Sequence, residues 1–364
     1  MQVTIPSIDN LERAVAQVMS AVPAELTEGK IRAALYGVGF LGRWALHQLR
    51  EAGVRIAVCY DAKETLNGTI IDGVPVHSLS ELKRSPPEFV LITARHAVIP
   101  VSAMLKKIGI AHVGYDAWHV ATNFAAFRHV HDSILSDDRS REVLRAVLMA
   151  MLTGDTRYCA AVYEKDQYFC LPQFCDAGHE TYVDAGAFAG DSVERFIWAQ
   201  NGVFSKVYAF EPGSRQFAAL QARTERLIRE WALDTACIDL INAGLGESKM
   251  VGWAASRSGQ ATNLTLQTDM TGEQVSVLGL DDFLEGKGIT FLKADVEGME
   301  MALLKGARST IRLHKPKLAI CVYHYPNDIP VISDYLIDLM PAYRFALRHH
   351  SSRLLETVLY AWTE

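Results

Sequence analysis

Residues 181–192 read TYVDAGAFAGDS, and the next strand-like run, VYAFEP at 207–212, again ends in an acid. The first stretch is a strand that enters a turn of small residues, with Asp184 at its end and Asp191 just past the turn. The second is a strand closing on Glu211. A strand, a small-residue turn, a helix and a further strand form the opening unit of a doubly wound α/β sheet. Gly186 and Gly190 are separated by three residues, which departs from the G-x-G-x-x-G spacing of a dinucleotide loop. A carboxylate at 184 would also repel a pyrophosphate beside it. A cofactor carrying an amine and a sulfonium suits such a place, and Glu211 is placed to accept both hydroxyls of a ribose.

The same α/β alternation continues on both sides. SVERFIWAQ and RQFAALQARTERLIREWA read as helices, and IDLINAGLG reads as a third strand that brings Asn242 beside an adenine. The Gly/Ser/Thr-rich interval 252–284 is expected to hold two antiparallel strands. GITFLKADVEGME is a strand with a charged end, ALLKGARSTIRLHK a helix, PKLAICVYHY a strand, and YRFALRHHSSRLLETVLYAWT a final hairpin. Alternation along the charged end sends Lys293, Asp295 and Glu297 to one side. This end lies at the carboxyl edge of its strand, where open α/β sheets bind ligands.

Upstream, RAALYGV enters GVGFLG, whose Gly37, Gly39 and Gly42 do fit the dinucleotide spacing, and the next strand, VRIAVCYD, ends in Asp61. This loop is a second candidate nucleotide site, and it offers an alternative function as an NAD(P)-dependent oxidoreductase or a non-catalytic nucleotide-binding protein. No hydride-transfer constellation accompanies it, because His77 and His96 stand alone. GTIIDGVPVHS reads as a hairpin and PPEFVLITA as a third strand. From 117 the pattern turns helical and aromatic, with DDRS and Glu142 capping a helix near 139. The expected organisation is a Rossmann-like domain over 1–116, a helical connector serving as lid or shoulder over 117–177, and a second α/β domain over 178–364.

VDAGAFAGD, VYAFEP, FLKADVEGMEMALLKGA and LAICVYH together resemble the FkbM family of S-adenosyl-L-methionine-dependent methyltransferases. The resemblance spans roughly 178–364, and its third motif is the most specific. It implies a class I methyltransferase fold, a seven-stranded, mostly parallel sheet ending in an antiparallel hairpin, and O-methylation of a sugar or similar small-molecule hydroxyl. Asp184, Gly186, Gly190 and Asp191 become cofactor-loop positions and Glu211 the ribose ligand. Phe188 and Gly213 depart from the family pattern, which often has Asn and an Asx residue there. An alcohol must lose its proton as it is methylated. Asp295 is the first choice of base, with Glu297 orienting the acceptor, Lys293 tuning both acids and His324 an alternative base.

Composition fits this reading. The 364 residues carry a formal net charge of −6, so no basic nucleic-acid footprint is present. No apolar run reaches a membrane-spanning length, and a cytoplasmic location is expected. The six cysteines, Cys59, Cys159, Cys170, Cys175, Cys237 and Cys321, lack CxxC spacing. His349 and His350 are adjacent and point to opposite faces of a strand, so no metal site is expected. Expected partners are a small-molecule or glycan acceptor, a nucleotide-linked sugar among them, and a second copy of the chain.

Overall fold

The computed structural model describes residues 3–175, 178–255, 263–265 and 272–364. Two parallel sheets organise it. The first consists of β1 (Ala33–Tyr36), β2 (Ile56–Tyr60), β3 (Ile70–Ile71), β4 (Val74–His77), β5 (Phe89–Ile92) and β6 (Ala111–Gly114), in the order β3-β4-β2-β1-β5-β6. Only the β3–β4 hairpin is antiparallel. β1 and β5 are buried along their whole length, as strands covered on both faces must be. The short β6 has no counterpart in the sequence reading, because AHVG is too brief and too mixed to show a period.

The second sheet contains β7 (Thr181–Ala185), β8 (Lys206–Phe210) and β9 (Ile238–Ile241). Next along the chain come β10 (Gly244–Gly246), β11 (Met250–Ala255), β12 (Asn263–Thr265) and β13 (Glu273–Gly279), which form a separate four-stranded sheet in the order β10-β13-β11-β12. β14 (Phe291–Ala294), β15 (Lys317–Cys321), β16 (Arg344–His349) and β17 (Thr357–Trp362) then complete the order β16-β17-β15-β14-β7-β8-β9. β17 runs antiparallel to both β15 and β16, and the remaining pairings are parallel. This is the α/β class I methyltransferase arrangement. The interval 252–284 holds more than the two strands expected, since β12 pairs with β11. Residues 256–262 and 266–271 of that interval lie outside the described residues.

The two faces of the second sheet have different covers. Val183, Ala185, Leu292, Ala294 and Leu318 pack into one core with Val120, Phe127, Val143, Leu144 and Leu148, and with Leu11 of the helix Ile8–Ala21. The opposite face carries Tyr182, Phe291 and Ala319 against Phe169, Phe174 and Phe196. The segment 117–177 therefore is more than a lid or connector. Its helix Asp138–Thr153, capped by Asp137 accepting from the Ser140 backbone N–H, helps cover one face of the second sheet. No helix among the described residues is long and apolar enough to cross a membrane.

Candidate active site

β7 and β14 lie side by side in register, Asp184 against Lys293. Both side chains share the face of Tyr182 and Phe291, and both are fully enclosed, at 0% and 2% exposure. Lys293 Nζ donates to Asp184 Oδ1 (2.9 Å), the Ala185 carbonyl (3.2 Å) and the Gly186 carbonyl (2.8 Å). These three acceptors use all three ammonium protons. Burial pulls the ammonium toward neutrality, yet Asp184 and Asp295 outweigh it and hold it above its ordinary range. The second oxygen of Asp184 accepts from Ser192 Oγ. Asp184 is thus committed to anchoring the turn and the helix Asp191–Ala199, and its carboxylate does not line the pocket beside it.

The turn itself is shaped by close approach. Gly186 has φ +80°, and a Cβ there would lie 1.9 Å from the Asp295 carbonyl oxygen. Gly190 starts the helix Asp191–Ala199, its N–H donating to the Ala187 carbonyl at 2.7 Å. Glu211, at the end of β8, receives the Phe188 backbone N–H on one oxygen (3.0 Å) and the Gly213 N–H on the other (2.9 Å). Phe188, at φ +48°, turns its peptide toward that carboxylate. Asn242 Nδ2 donates to the Glu211 and Pro212 carbonyls (2.9 and 3.2 Å), which uses it to fix the turn and keeps it off the pocket wall.

Between these parts lies a pocket of about 340 Å³. Gly186, Asp191 and Glu211 line one side, and Lys293, Asp295 and Glu297 line the other. Side chains that the sequence reading missed also face it, among them Gln167, Tyr168, Arg195, Tyr323 and Glu356. Tyr323 precedes His324 within the quoted CVYH, so proximity to the motif was its available signal. Tyr168 lies 127 positions from Asp295 and carried none.

The acids beyond β14 do not simply alternate. The strand ends at Ala294, and Glu297 takes the left-handed φ of +54°, so the expected common side for 293, 295 and 297 is set by the turn rather than by a pleat. Asp295 accepts from Tyr168 Oη on Oδ2 (2.9 Å) and from Tyr323 Oη on Oδ1 (3.2 Å). Burial alone would raise it, but Lys293, His324 and the two phenols hold its carboxyl below the usual range. Glu297 is pushed up to about 7, mainly by burial, with His324 favouring its charge and Asp295 and Glu300 opposing it. For His324 burial works downward, while Glu300, Asp295 and Glu297 prevail and raise it to about 10. At neutral pH the cluster holds a fixed anion at Asp295, an exchangeable carboxyl at Glu297 and an imidazolium at His324. An imidazolium has no lone pair with which to take a proton, so His324 does not serve as the alternative base in this state.

The glycine-rich loop of the first sheet has a different neighbour. Asp61 Oδ2 accepts from the Val38 N–H (2.9 Å), the relation Glu211 has to Phe188. A Cβ at Gly42 would lie 2.1 Å from the Gly37 carbonyl oxygen, so close packing of helix on turn already accounts for that glycine. Gly39 is exposed. Phe40, which opens the helix Phe40–Glu51, and Trp44 one turn on both stack on Tyr325, at centroid distances of 5.0 and 4.7 Å. Arg95 pairs with both oxygens of Asp116 (2.7 and 3.0 Å) and donates to the Tyr323 carbonyl (2.8 Å). The first sheet thus docks on the segment that carries Tyr323 and His324. His349 and His350 are engaged elsewhere, the former with Thr357 and the Arg353 carbonyl, the latter with the Glu164 carbonyl and Tyr360.

Comparison with known proteins assigns residues 184–347 to the methyltransferase FkbM domain family. Among solved structures, the chain is similar to a methyltransferase FkbM from Methylobacillus flagellatus KT, at 24% identity and TM-score 0.59, over 98% of this chain and 99% of that one. Weaker similarities include an rRNA methylase from Streptococcus thermophilus (16% identity, 52% of this chain and 88% of that one, TM-score 0.32). A protein from Streptococcus mutans solved in complex with SAH is also similar (13%, 52% and 90%, TM-score 0.31). No curated protein matches the chain.

Proposed function

We propose that this chain, whose residues 184–347 match the methyltransferase FkbM domain family, transfers the methyl group of S-adenosyl-L-methionine to a hydroxyl of a sugar or similar small molecule. The observation that carries this reading is the placement of Glu211. Its carboxylate is fixed by two backbone N–H groups at the rim of a pocket that opens from the Gly186 turn and runs to Asp295 and Glu297. The Glu211 side supports the ribose end of the donor. Asp191, Asp295, Glu297 and Glu356 also line the pocket, which suits a donor bearing a sulfonium and an ammonium. The same charge disfavours a phosphorylated acceptor, so an uncharged hydroxyl compound fits better than a nucleotide-linked sugar.

Methyl transfer is an in-line displacement at a carbon activated by the sulfonium, and the protein's part is mainly to align the acceptor oxygen at roughly 3–3.5 Å. The Asp295 and Glu297 carboxylates receive that hydroxyl. Its proton passes to a carboxylate, the carbon–oxygen bond forms as the carbon–sulfur bond breaks, and S-adenosylhomocysteine leaves. Lys293, with every proton engaged, holds the turn and the charge balance and does not touch the acceptor.

Calorimetric titration with S-adenosylhomocysteine tests the reading. The protein is expected to bind it, and Glu211→Ala is expected to weaken binding by about 10- to 100-fold, the effect of losing charge-assisted hydrogen bonds of ~1.5–3 kcal/mol. NADH binding that is lost in Asp61→Ala, with no response to S-adenosylhomocysteine, would move the site to the first loop.

A further inference from the structure

Asp295 Oδ1 and Glu297 Oε2 stand 3.6 and 3.7 Å from His324 Nε2. One ligand atom from each of the three residues lies within 4.8 Å of the others. The two contacts are too long for hydrogen bonds. His324 Nε2 has no hydrogen-bond partner, although its side chain is only 5% exposed. Leaving a buried polar group in that state costs about 1–3 kcal/mol, more when the group is charged. Nε2 is therefore aimed at a gap between two carboxylates and hydrogen-bonds to neither.

We propose that Asp295 Oδ1, Glu297 Oε2 and His324 Nε2 bind one divalent cation, which takes the place of the imidazolium proton on Nε2 and releases it to solvent. Donors at ~2.0–2.2 Å from a common ion stand roughly 3.0–3.6 Å apart, depending on whether the geometry is octahedral or tetrahedral. The two spacings to the histidine, 3.6 and 3.7 Å, lie at and just beyond the outer edge of that range, and the two carboxylate oxygens lie within 4.8 Å of each other, so the three donors must draw together to seat the ion. Two carboxylates and an imidazole match Mn²⁺ or Zn²⁺ better than a thiophilic metal.

The surroundings are those of a metal ligand set. Glu300 Oε1 lies 3.1 Å from His324 Nδ1 and is itself held by the Val296 N–H at 2.9 Å. A carboxylate on the far nitrogen of a ligating histidine fixes the ring and its tautomer. Tyr168 holds Asp295 by Oδ2 and leaves Oδ1 turned to the gap, where Tyr323 is its other neighbour. Lys293 donates to Asp184 and to two carbonyls of the turn, so its ammonium does not take the ion's place. Asp295 and Glu297 line the pocket, which opens the ion's remaining positions toward the acceptor space. This assignment rests on the reading of that pocket as the methyl-transfer site. An ion held there lets an acceptor hydroxyl complete its shell.

The test uses the full-length chain, stripped with chelator and titrated with Mn²⁺ alone, following loss of the free-ion signal by electron paramagnetic resonance. S-Adenosylhomocysteine is titrated in parallel. One Mn²⁺ per chain is expected. Glu297→Gln and His324→Phe should each weaken it by roughly 10- to 100-fold, the range seen when even an outer partner of a metal ligand is lost. Asp334→Asn, an exposed carboxylate on the helix Asp328–Leu339, should leave both Mn²⁺ and S-adenosylhomocysteine binding unchanged. Absence of saturable Mn²⁺ and Zn²⁺ binding, or binding indifferent to both site variants, overturns the cation site. Retained S-adenosylhomocysteine affinity in that case leaves the methyltransferase reading standing, whereas its absence from the parent protein defeats that reading independently.

Discussion

Replacing Lys293 with methionine is expected to destabilise the fold by about 3–5 kcal/mol, the usual cost of removing one partner from a buried ion pair. The reason is local. Lys293 and Asp184 face each other across β14 and β7 with no solvent access, and the same ammonium binds the Ala185 and Gly186 carbonyls. Methionine fills a similar volume, so the loss reports the charge and the three hydrogen bonds rather than a cavity. Denaturant unfolding is the measurement, read as a lower midpoint at an unchanged slope. The double variant Lys293→Met with Asp184→Asn should recover part of the loss, because the stranded carboxylate is removed with its partner. A single-variant cost below about 1 kcal/mol, typical of exposed pairs, would show that the ion pair is not the anchor described.

Substitution of Gly186 by alanine is expected to lower affinity for S-adenosylhomocysteine by about 100-fold, equivalent to ~2.7 kcal/mol. The left-handed φ of +80° costs a non-glycine residue about 1–2 kcal/mol. The larger effect is steric, since a Cβ 1.9 Å from the Asp295 carbonyl has no room unless one backbone moves. Either movement shifts the turn against the strand end that carries Asp295, and the pocket lies between them. Calorimetric titration measures the affinity, and circular dichroism separates this local displacement from global unfolding. A folded Gly186→Ala protein that binds with parental affinity would mean that the turn does not shape the cofactor site.

The sequence showed most of the sheet plan because its strands are short apolar runs ended by small residues or acids. LKAD, YAFEP and YVDAG reveal both the strand and its end beside the pocket. Gly186, Glu211, Asp295 and Glu297 line one pocket, as residues at the carboxyl ends of neighbouring parallel strands do. Three things were hidden for physical reasons. Period-two reasoning stops where the strand stops, and the left-handed backbone at Glu297 lies beyond Ala294. The phenols that hold Asp295 come from a loop before β7 and from the end of β15, and such contacts depend on tertiary packing with no local period. The electrostatic character of His324 was hidden similarly, because it follows from three acids that only folding brings to one ring.

The stacking of Phe40 and Trp44 on Tyr325, with Arg95 gripping the Tyr323 carbonyl, bears on how this chain can be divided. A cut at residue 178, where the methyltransferase resemblance begins, would release neither an independent enzyme nor an independent nucleotide binder. It would strip Leu11, Phe127, Val143 and Leu148 from the core they share with Val183, Leu292 and Leu318, and uncover part of that face of the second sheet. It would also free the segment of Tyr323 and His324 from its outer support. Homology and autonomy therefore have different borders in this molecule. The matched family domain occupies the second half, whereas the core it packs into extends back to the helix Ile8–Ala21.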